Sequence, residues 1–308
     1  MTALGAGSVS FRIYPHDVAA DVAVDLMRRQ AAAAVDAGFD GVMVSEHHGG
    51  FAGYIPNPIQ VCGWLLDAMS QGWAAPCPLL LPLRPVALVV EEIAWLAARF
   101  PGRVGLGVAS GSLEADFAIL GTDKTELTQR FAAGLATVAA ALSGRDGGSL
   151  ADDPAVRRCV DEPVPVLSAA MSQTACRRAA SEGVGLLIDS LAPPERCREL
   201  IDSFRDAGGT APVNLVRRVW VGSGAETRHD EQEAVYRTYA APGAQAHWLG
   251  SELISGSVDE VAERLDVVRR TTGADSLNLR VHVPGIEAEE ASEQIAALTD
   301  VVAQLRDT

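Results

Sequence analysis

The run Ser45-Glu46-His47-His48 places a carboxylate and two imidazoles directly after an apolar stretch, Gly41-Val42-Met43-Val44. That stretch reads as a buried parallel strand, and the C-terminal ends of such strands are where α/β barrels build their active-site face. Histidine titrates near neutral pH, so the pair admits three roles: proton transfer, metal binding or packing. Neighbouring side chains of a strand point to opposite faces, which works against chelation of one ion by His47 and His48 together. The chain has no HxxxH or HExxH spacing, and no metal site is expected. Downstream, Gly49 to Pro58 is rich in glycine and proline. Asn57 is restrained by Pro56 and Pro58, so its amide either points in a fixed direction or belongs to an ordinary turn.

A second group of chemical side chains falls near the C-terminus. Asn278, Arg280 and His282 alternate with Leu279, Val281 and Val283, giving one polar and one apolar strand face. Arg280 or His282 could meet an anionic group at a cavity; a water-exposed or salt-bridged strand end is the other reading. Arg217 and Arg218 are adjacent, so only one of them can face a barrel interior. His247-Trp248 is expected to anchor packing.

These residues need a scaffold, and strand signals recur along the chain. Candidate strands are Val9–Tyr14, Gly41–Glu46, Pro78–Pro82, Val104–Ala109, Val164–Ala169, Gly185–Ser190, Val213–Val221 and Ser276–Val283. Amphipathic segments separate most of them. Pro85 suits a helix start, followed at helical spacing by Val86, Val89, Val90, Ile93, Ala97 and Phe100. Leu127, Phe131, Leu135, Val138 and Leu142 form a similar stripe. Eight strands alternating with helices predict one α/β domain over residues 1–308, a single (β/α)8 TIM barrel with insertions after strands 4 and 7. Between Ser110 and Pro163 one helix and a polar surface loop are expected. Between Gly222 and Asp275 the pattern predicts a charged helix from Glu231 to Tyr239, a small-residue loop at 240–246 suited to a lid, and a helix from Asp259.

Composition narrows the function classes. Hydrophobic residues make up 48% and charged residues 21% of the 308, enough to bury a sizeable core. A formal net charge of −15 argues against non-specific binding to nucleic acid or anionic membrane. No apolar run approaches the ~18 residues of a membrane span, and no signal segment is evident. The five cysteines, Cys62, Cys77, Cys159, Cys176 and Cys197, form no CxxC pair, as expected of reduced thiols in a cytoplasmic protein.

Several of these features occur together in a recognisable order. Glu46-His47-His48 with Asn57-Pro58, then Leu80-Leu81-Pro82 and Pro85, then Gly102-Arg103-Val104-Gly105-Leu106-Gly107-Val108, then Asp116-Phe117-Ala118-Ile119-Leu120-Gly121, resembles the bacterial luciferase-like flavin monooxygenase family. The resemblance is densest over residues 41–130. It implies reduced FMN bound at the barrel mouth, molecular oxygen as co-substrate and a small organic molecule as substrate. A separate flavin reductase or a nicotinamide cofactor would supply the reduced flavin. Family members commonly form dimers, so a homodimer is expected.

The resemblance also suggests site residues. It makes His47 the catalytic histidine, with His48 and Asn57 orienting substrate or flavin. It places a cis peptide beside the flavin, which falls on Cys77–Pro78, and a flavin-proximal position at Ser110. The flavin phosphate would lie along Ala170, Met171, Ser172 and Thr174, at a helix start where free N–H groups attract anions; a simple N-cap role for Ser172 or Thr174 is the other reading. The chain departs from the luciferase pattern at Ala169 and Ala170, where acidic and serine residues are expected, and at Ser110, where an arginine is expected. A deazaflavin coenzyme is therefore the alternative cofactor, and a non-catalytic flavin-binding partner subunit the alternative role.

Overall fold

Ten short strands form one sheet that curls into a barrel: β1 (Val9–Arg12), β2 (Gly41–Val44), β3 (Trp73–Pro76), β4 (Leu79–Leu80), β5 (Leu106–Ala109), β6 (Val166–Ala169), β7 (Gly185–Ile188), β8 (Val213–Val221), β9 (Leu253–Gly256) and β10 (Ser276–Arg280). The computed structural model describes residues 2–239 and 252–307. Helices cover the outside: α1 (Ala20–Asp36), α2 (Pro58–Ala68), α3 (Val86–Arg99), α4 (Glu114–Ile119), α5 (Leu127–Leu142), α6 (Pro154–Arg158), α7 (Gln173–Glu182), α8 (Pro194–Asp206), α9 (Glu226–Tyr239), α10 (Val258–Thr272) and α11 (Ala288–Asp307).

Strand order is β3-β2-β1-β10-β8-β7-β6-β5-β4, with every named pairing parallel, as βα crossovers require. The ring closes where Ala74 bridges Val104, with Ala74 N donating to Arg103 O at 3.0 Å and Gly105 N to Ala74 O at 3.3 Å. The third barrel strand is thus the whole stretch from Trp73 to Leu80, divided at Cys77–Pro78. Its first half pairs with β2 and its second with β5. The eight-stranded barrel expected from the sequence is present, and β9 is an addition that pairs with the end of β8.

Several expectations need correction. The third strand begins at Trp73 rather than Pro78, and Leu81–Leu83 turns into a 3-10 helix. Alanine-rich Trp73-Ala74-Ala75 lacks β-branched residues, and its strand character comes from being buried between β2 and the Val104 region. The interval after β5 holds α4 and α6 besides the one helix foreseen. The interval after β8 holds β9, and its first helix begins at Glu226 rather than Glu231. The loop at 240–246 and the His247-Trp248 pair lie outside the described residues.

Two apolar layers result. Outward strand residues such as Phe11, Val42, Val108, Leu215 and Leu279 pack against the helix stripes, including Phe131, Leu135, Val138 and Leu142 of α5. Burying side chains of this size stabilises the fold by about 1.5–3 kcal/mol each. Inside the barrel, Met43, Trp73, Ala75, Cys77, Leu167, Leu187 and Val216 form a second cluster, joined by Ala3 and Leu4 from the N-terminal segment.

The opposite half of the interior is polar. Asn278 Nδ2 donates to Ser10 Oγ at 2.9 Å, and Asn214 Nδ2 donates to Ser276 Oγ at 2.9 Å. Arg12 Nε donates to Asn278 Oδ1 at 2.7 Å and Nη1 to the Cys77 carbonyl at 2.7 Å, with Ser45 Oγ as a further acceptor. Arg12 therefore ties β1, β2, β10 and the Cys77 break together, and the Arg12 guanidinium and Asn278 amide find partners across strands, as burial demands. The polar face of Asn278 and Arg280 is thus inside the barrel rather than at a water-exposed strand end.

Candidate active site

The loop after β2 turns back on its own strand. Glu46 bridges Ile55, His47 N donates to Ile55 O at 3.3 Å, and Ile55 N donates to Ser45 O at 3.2 Å. Gly53 makes this turn with φ of +80°, and a Cβ there would lie 2.8 Å from the His282 ring, so only glycine fits without displacement. The loop thereby brings Phe51 and Tyr54 onto His47, with ring centroids 4.8 and 4.5 Å away.

Each histidine has its own carboxylate. His47 Nδ1 lies 2.7 Å from Asp116 Oδ2, while the His48 backbone N–H donates to Asp116 Oδ1 at 2.8 Å. His48 Nε2 lies 3.0 Å from Glu46 Oε1. Glu46 also accepts from Leu80 N at 2.6 Å and from Arg84 Nη2 at 2.7 Å, which fixes it against the end of the third strand. Asp116 sits in the first turn of α4, the helix absent from the sequence expectation. Burial pushes its carboxyl up, but the hydrogen bonds from His47 and the His48 backbone outweigh this and hold it below the ordinary carboxylate value.

This arrangement selects a tautomer. The ionised Asp116 accepts, so His47 Nδ1 carries a proton, and in the neutral imidazole the lone pair is then on Nε2. The ring is pinned by Asp116 on one side and by Phe51 and Tyr54 on the other, and its side chain is 18% exposed. A positioned imidazole backed by a carboxylate can take up and return a proton at Nε2.

Around the same end of the barrel, Tyr14 stacks on His282 with centroids 4.5 Å apart and meets Tyr54 edge-on. Tyr54 OH lies 3.3 Å from Tyr236 OH of α9, which accepts from Arg280 Nη2 at 2.6 Å. Burial, reinforced by Arg280 and its neighbours, pushes the His282 imidazole down to about 3, so it is neutral.

The remaining expected residues are placed as follows. The Cys77–Pro78 bond is cis. Cys77 is fully buried beside Gly107, and burial pushes its thiol up to about 12. Ser110 follows β5 directly. Ala170 is buried and Met171 half-buried, whereas Ser172 and Thr174 are exposed at the start of α7. Ser172 Oγ accepts from Ala175 N at 3.3 Å as the helix cap. Asn57 is likewise a cap: Oδ1 accepts from Gln60 N at 3.3 Å at the start of α2, and no hydrogen bond connects it to His47. The structure therefore joins His47 and His48 through Asp116 and leaves Asn57 outside that network.

Sequence reasoning missed Asp116 as the partner of His47, as well as Tyr14, Tyr54, Tyr236 and Arg196. Asp116 was visible as the first residue of Asp116-Phe117-Ala118-Ile119-Leu120-Gly121. Arg196 lies beside the α7 start, with Nη2 donating to Met171 O at 3.3 Å and a buried Nε that has no partner.

Over 88 residues the chain is 31% identical to the alkanal monooxygenase alpha chain of Photorhabdus luminescens, a match covering 29% of this chain and 24% of that one. Among solved structures, monooxygenase RslO1 from Streptomyces bottropensis superposes with TM-score 0.78 at 18% identity, over 95% of this chain and 97% of its own. An F420-dependent secondary alcohol dehydrogenase in complex with an F420-acetone adduct gives 0.76 at 16% identity, over 98% and 99%. The FMN-bound oxygenating constituent of 3,6-diketocamphane monooxygenase from Pseudomonas putida gives 0.73 at 15% identity, over 96% and 98%. These likenesses establish the shared fold. The model of the luciferase-like monooxygenase family matches residues 8–252, and the chain belongs to that family of oxidoreductases.

Proposed function

We propose that the protein is a flavin-dependent monooxygenase that uses reduced FMN and molecular oxygen to oxidise a small organic substrate. The observation that carries this reading is the Asp116 clamp, which fixes His47 with Nε2 as the nitrogen left to exchange a proton. The buried Nε of Arg196, whose Nη1 is held by Glu199 at 2.7 Å, lies beside the first turn of α7 and fits the phosphate of such a cofactor. Ser172, Thr174 and the free N–H groups at that helix start would share the phosphate, and Cys77–Pro78 with Ser110 would border the ring. When bound, reduced FMN supplies the electrons that activate oxygen.

The chain's own residues would then manage protons and exclude water. His47 holds or releases a proton at Nε2, and the Asp116 carboxylate stabilises the charged imidazolium. The Phe51 and Tyr54 rings packed on His47 limit water around the imidazole. A separate reductase would deliver the reduced flavin, and the working form would be a homodimer. The five buried, unpaired cysteines suit the reducing cytoplasm.

A second reading, hydride transfer with a deazaflavin coenzyme, draws support from the F420-dependent dehydrogenase that shares this fold. The apolar Ala169 and Ala170 also offer no side-chain donor to an FMN phosphate. The two separate when the protein is incubated with each reduced coenzyme and a panel of small ketones and aldehydes. Oxygen uptake coupled to product with reduced FMN is expected. Anaerobic turnover with reduced deazaflavin, and none with FMN, would overturn the first reading.

A further inference from the structure

Two arginines inside the barrel mouth carry guanidinium nitrogens with no hydrogen-bond partner among the described residues. Arg218 of β8 is 2% exposed and Arg280 of β10 is 6% exposed, and these strands are neighbours in the barrel. Arg218 Nε donates to Ser190 Oγ at 3.3 Å, but both terminal nitrogens, Nη1 and Nη2, are buried without any hydrogen-bond partner. Arg280 Nη2 donates to Tyr236 OH, and its Nε is also buried without a partner. Among the described residues neither guanidinium forms an ion pair with a carboxylate. The nearby Glu233 accepts from Arg237 at 3.2 Å; burial pushes its carboxyl up, and the positive charges of Arg218 and Arg237 oppose that shift.

A buried guanidinium with unmet donors is costly, because desolvation is not offset by a partner. Its planar fork of N–H groups matches a carboxylate in bidentate fashion. The surroundings suit a flat organic anion: the Arg280 guanidinium lies 4.8 Å from the Tyr14 ring centroid, and Arg218 lies 5.5 Å from that of Tyr236. Contacts also run from this pair to the candidate catalytic residue, through Tyr236 OH and Tyr54 OH to the Tyr54 ring packed on His47.

We propose that Arg218 and Arg280 form the recognition site for a carboxylate on the substrate, so that the molecule oxidised is an organic acid. This deepens, and rests on, the monooxygenase reading above. The anion would meet the orphaned Nη1 and Nη2 of Arg218 and the Nε of Arg280, leaving the uncharged part of the substrate toward Tyr54 and His47.

The test is calorimetric titration of the 308-residue chain with benzoate and acetate, with benzamide as the uncharged control and inorganic phosphate as the competitor. FMN binding is followed separately by fluorescence. Saturable benzoate binding is expected, with benzamide at least 10-fold weaker. Arg218→Met should weaken benzoate by roughly 10- to 100-fold, the scale for hydrogen bonds to a charged group, while FMN affinity holds. Arg218→Lys, which retains the charge, should recover part of the loss, and this variant decides the matter if Arg218→Met does not fold. The proposal is overturned if neither carboxylate binds, if benzamide binds as well as benzoate, or if both variants bind benzoate like the parent. Loss of FMN or phosphate binding, rather than benzoate binding, would assign the pair to a cofactor phosphate and also overturn it. Benzoate binding without oxygen uptake from reduced FMN would refute the monooxygenase reading while leaving the anion site in place.

Discussion

The Asp116 carboxylate spans two consecutive histidines, with one oxygen 2.7 Å from His47 Nδ1 and the other 2.8 Å from the His48 backbone nitrogen. One side chain thus fixes both the position of the strand end and the tautomer of the imidazole at its tip. That double duty separates a positioning role from a merely structural one.

Asp116→Asn keeps the shape and an oxygen for the His48 N–H, but turns an amide donor toward His47 Nδ1. The tautomer should reverse, placing the proton on Nε2. kcat/KM is expected to fall on the order of 100-fold with a nearly unchanged thermal midpoint. Combining it with His47→Ala should add little further loss, because the two act as a unit. Additive losses in steady-state kinetics would argue against the dyad.

Acid stability should carry the signature of His282. Its imidazole is held near 3 in the fold against an ordinary value of 6.5. Between those values the unfolded chain binds a proton that the native protein does not, so stability falls as pH drops, by at most about 1.4 kcal/mol per unit. Urea midpoints measured from about pH 6.5 to about 4.5 should show this slope, flattened in His282→Gln. Asp116 contributes at lower pH: its depressed carboxyl lends stability that is lost only below the ordinary value of 3.8. An identical slope in parent and His282→Gln would contradict the assignment.

Gly53→Ala combines an unfavourable positive φ with a close approach to the His282 ring. A cost of roughly 1–3 kcal/mol is expected in urea unfolding. Because the same turn packs Phe51 and Tyr54 on His47, turnover should fall as well. A variant as stable and active as the parent would show that the loop shifts freely.

Much of the scaffold was legible because its signals are local. Four apolar residues before His47, and the stripe of Phe131, Leu135, Val138 and Leu142, announce a strand and a helix without reference to distant residues. The break in the third strand was half legible: Pro76 and Pro78 marked the irregularity, but Trp73–Pro76 gains strand character only from its neighbours in the barrel. Edge strand β9 has four residues and one partner, β8, too little pattern to register. The site was legible by residue type but not by connection. Asp116 is 69 residues from His47, and nothing local to either announces the other. Asn57, read as a proline-restrained amide, uses its Oδ1 as the cap of α2, a role set by the helix that follows it. Likewise, the alternation of Asn278, Arg280 and His282 revealed a polar face, but its position inside the barrel follows from the network with Ser10 and Arg12.

The central claim is that His47 exchanges the proton during turnover. The most direct measurement is single-turnover product formation by His47→Ala loaded with reduced FMN and exposed to oxygen, with FMN binding monitored in parallel. Product formation is predicted to fall on the order of 100-fold or more while FMN binding persists. A rate within about threefold of the parent, with FMN bound, would contradict the account.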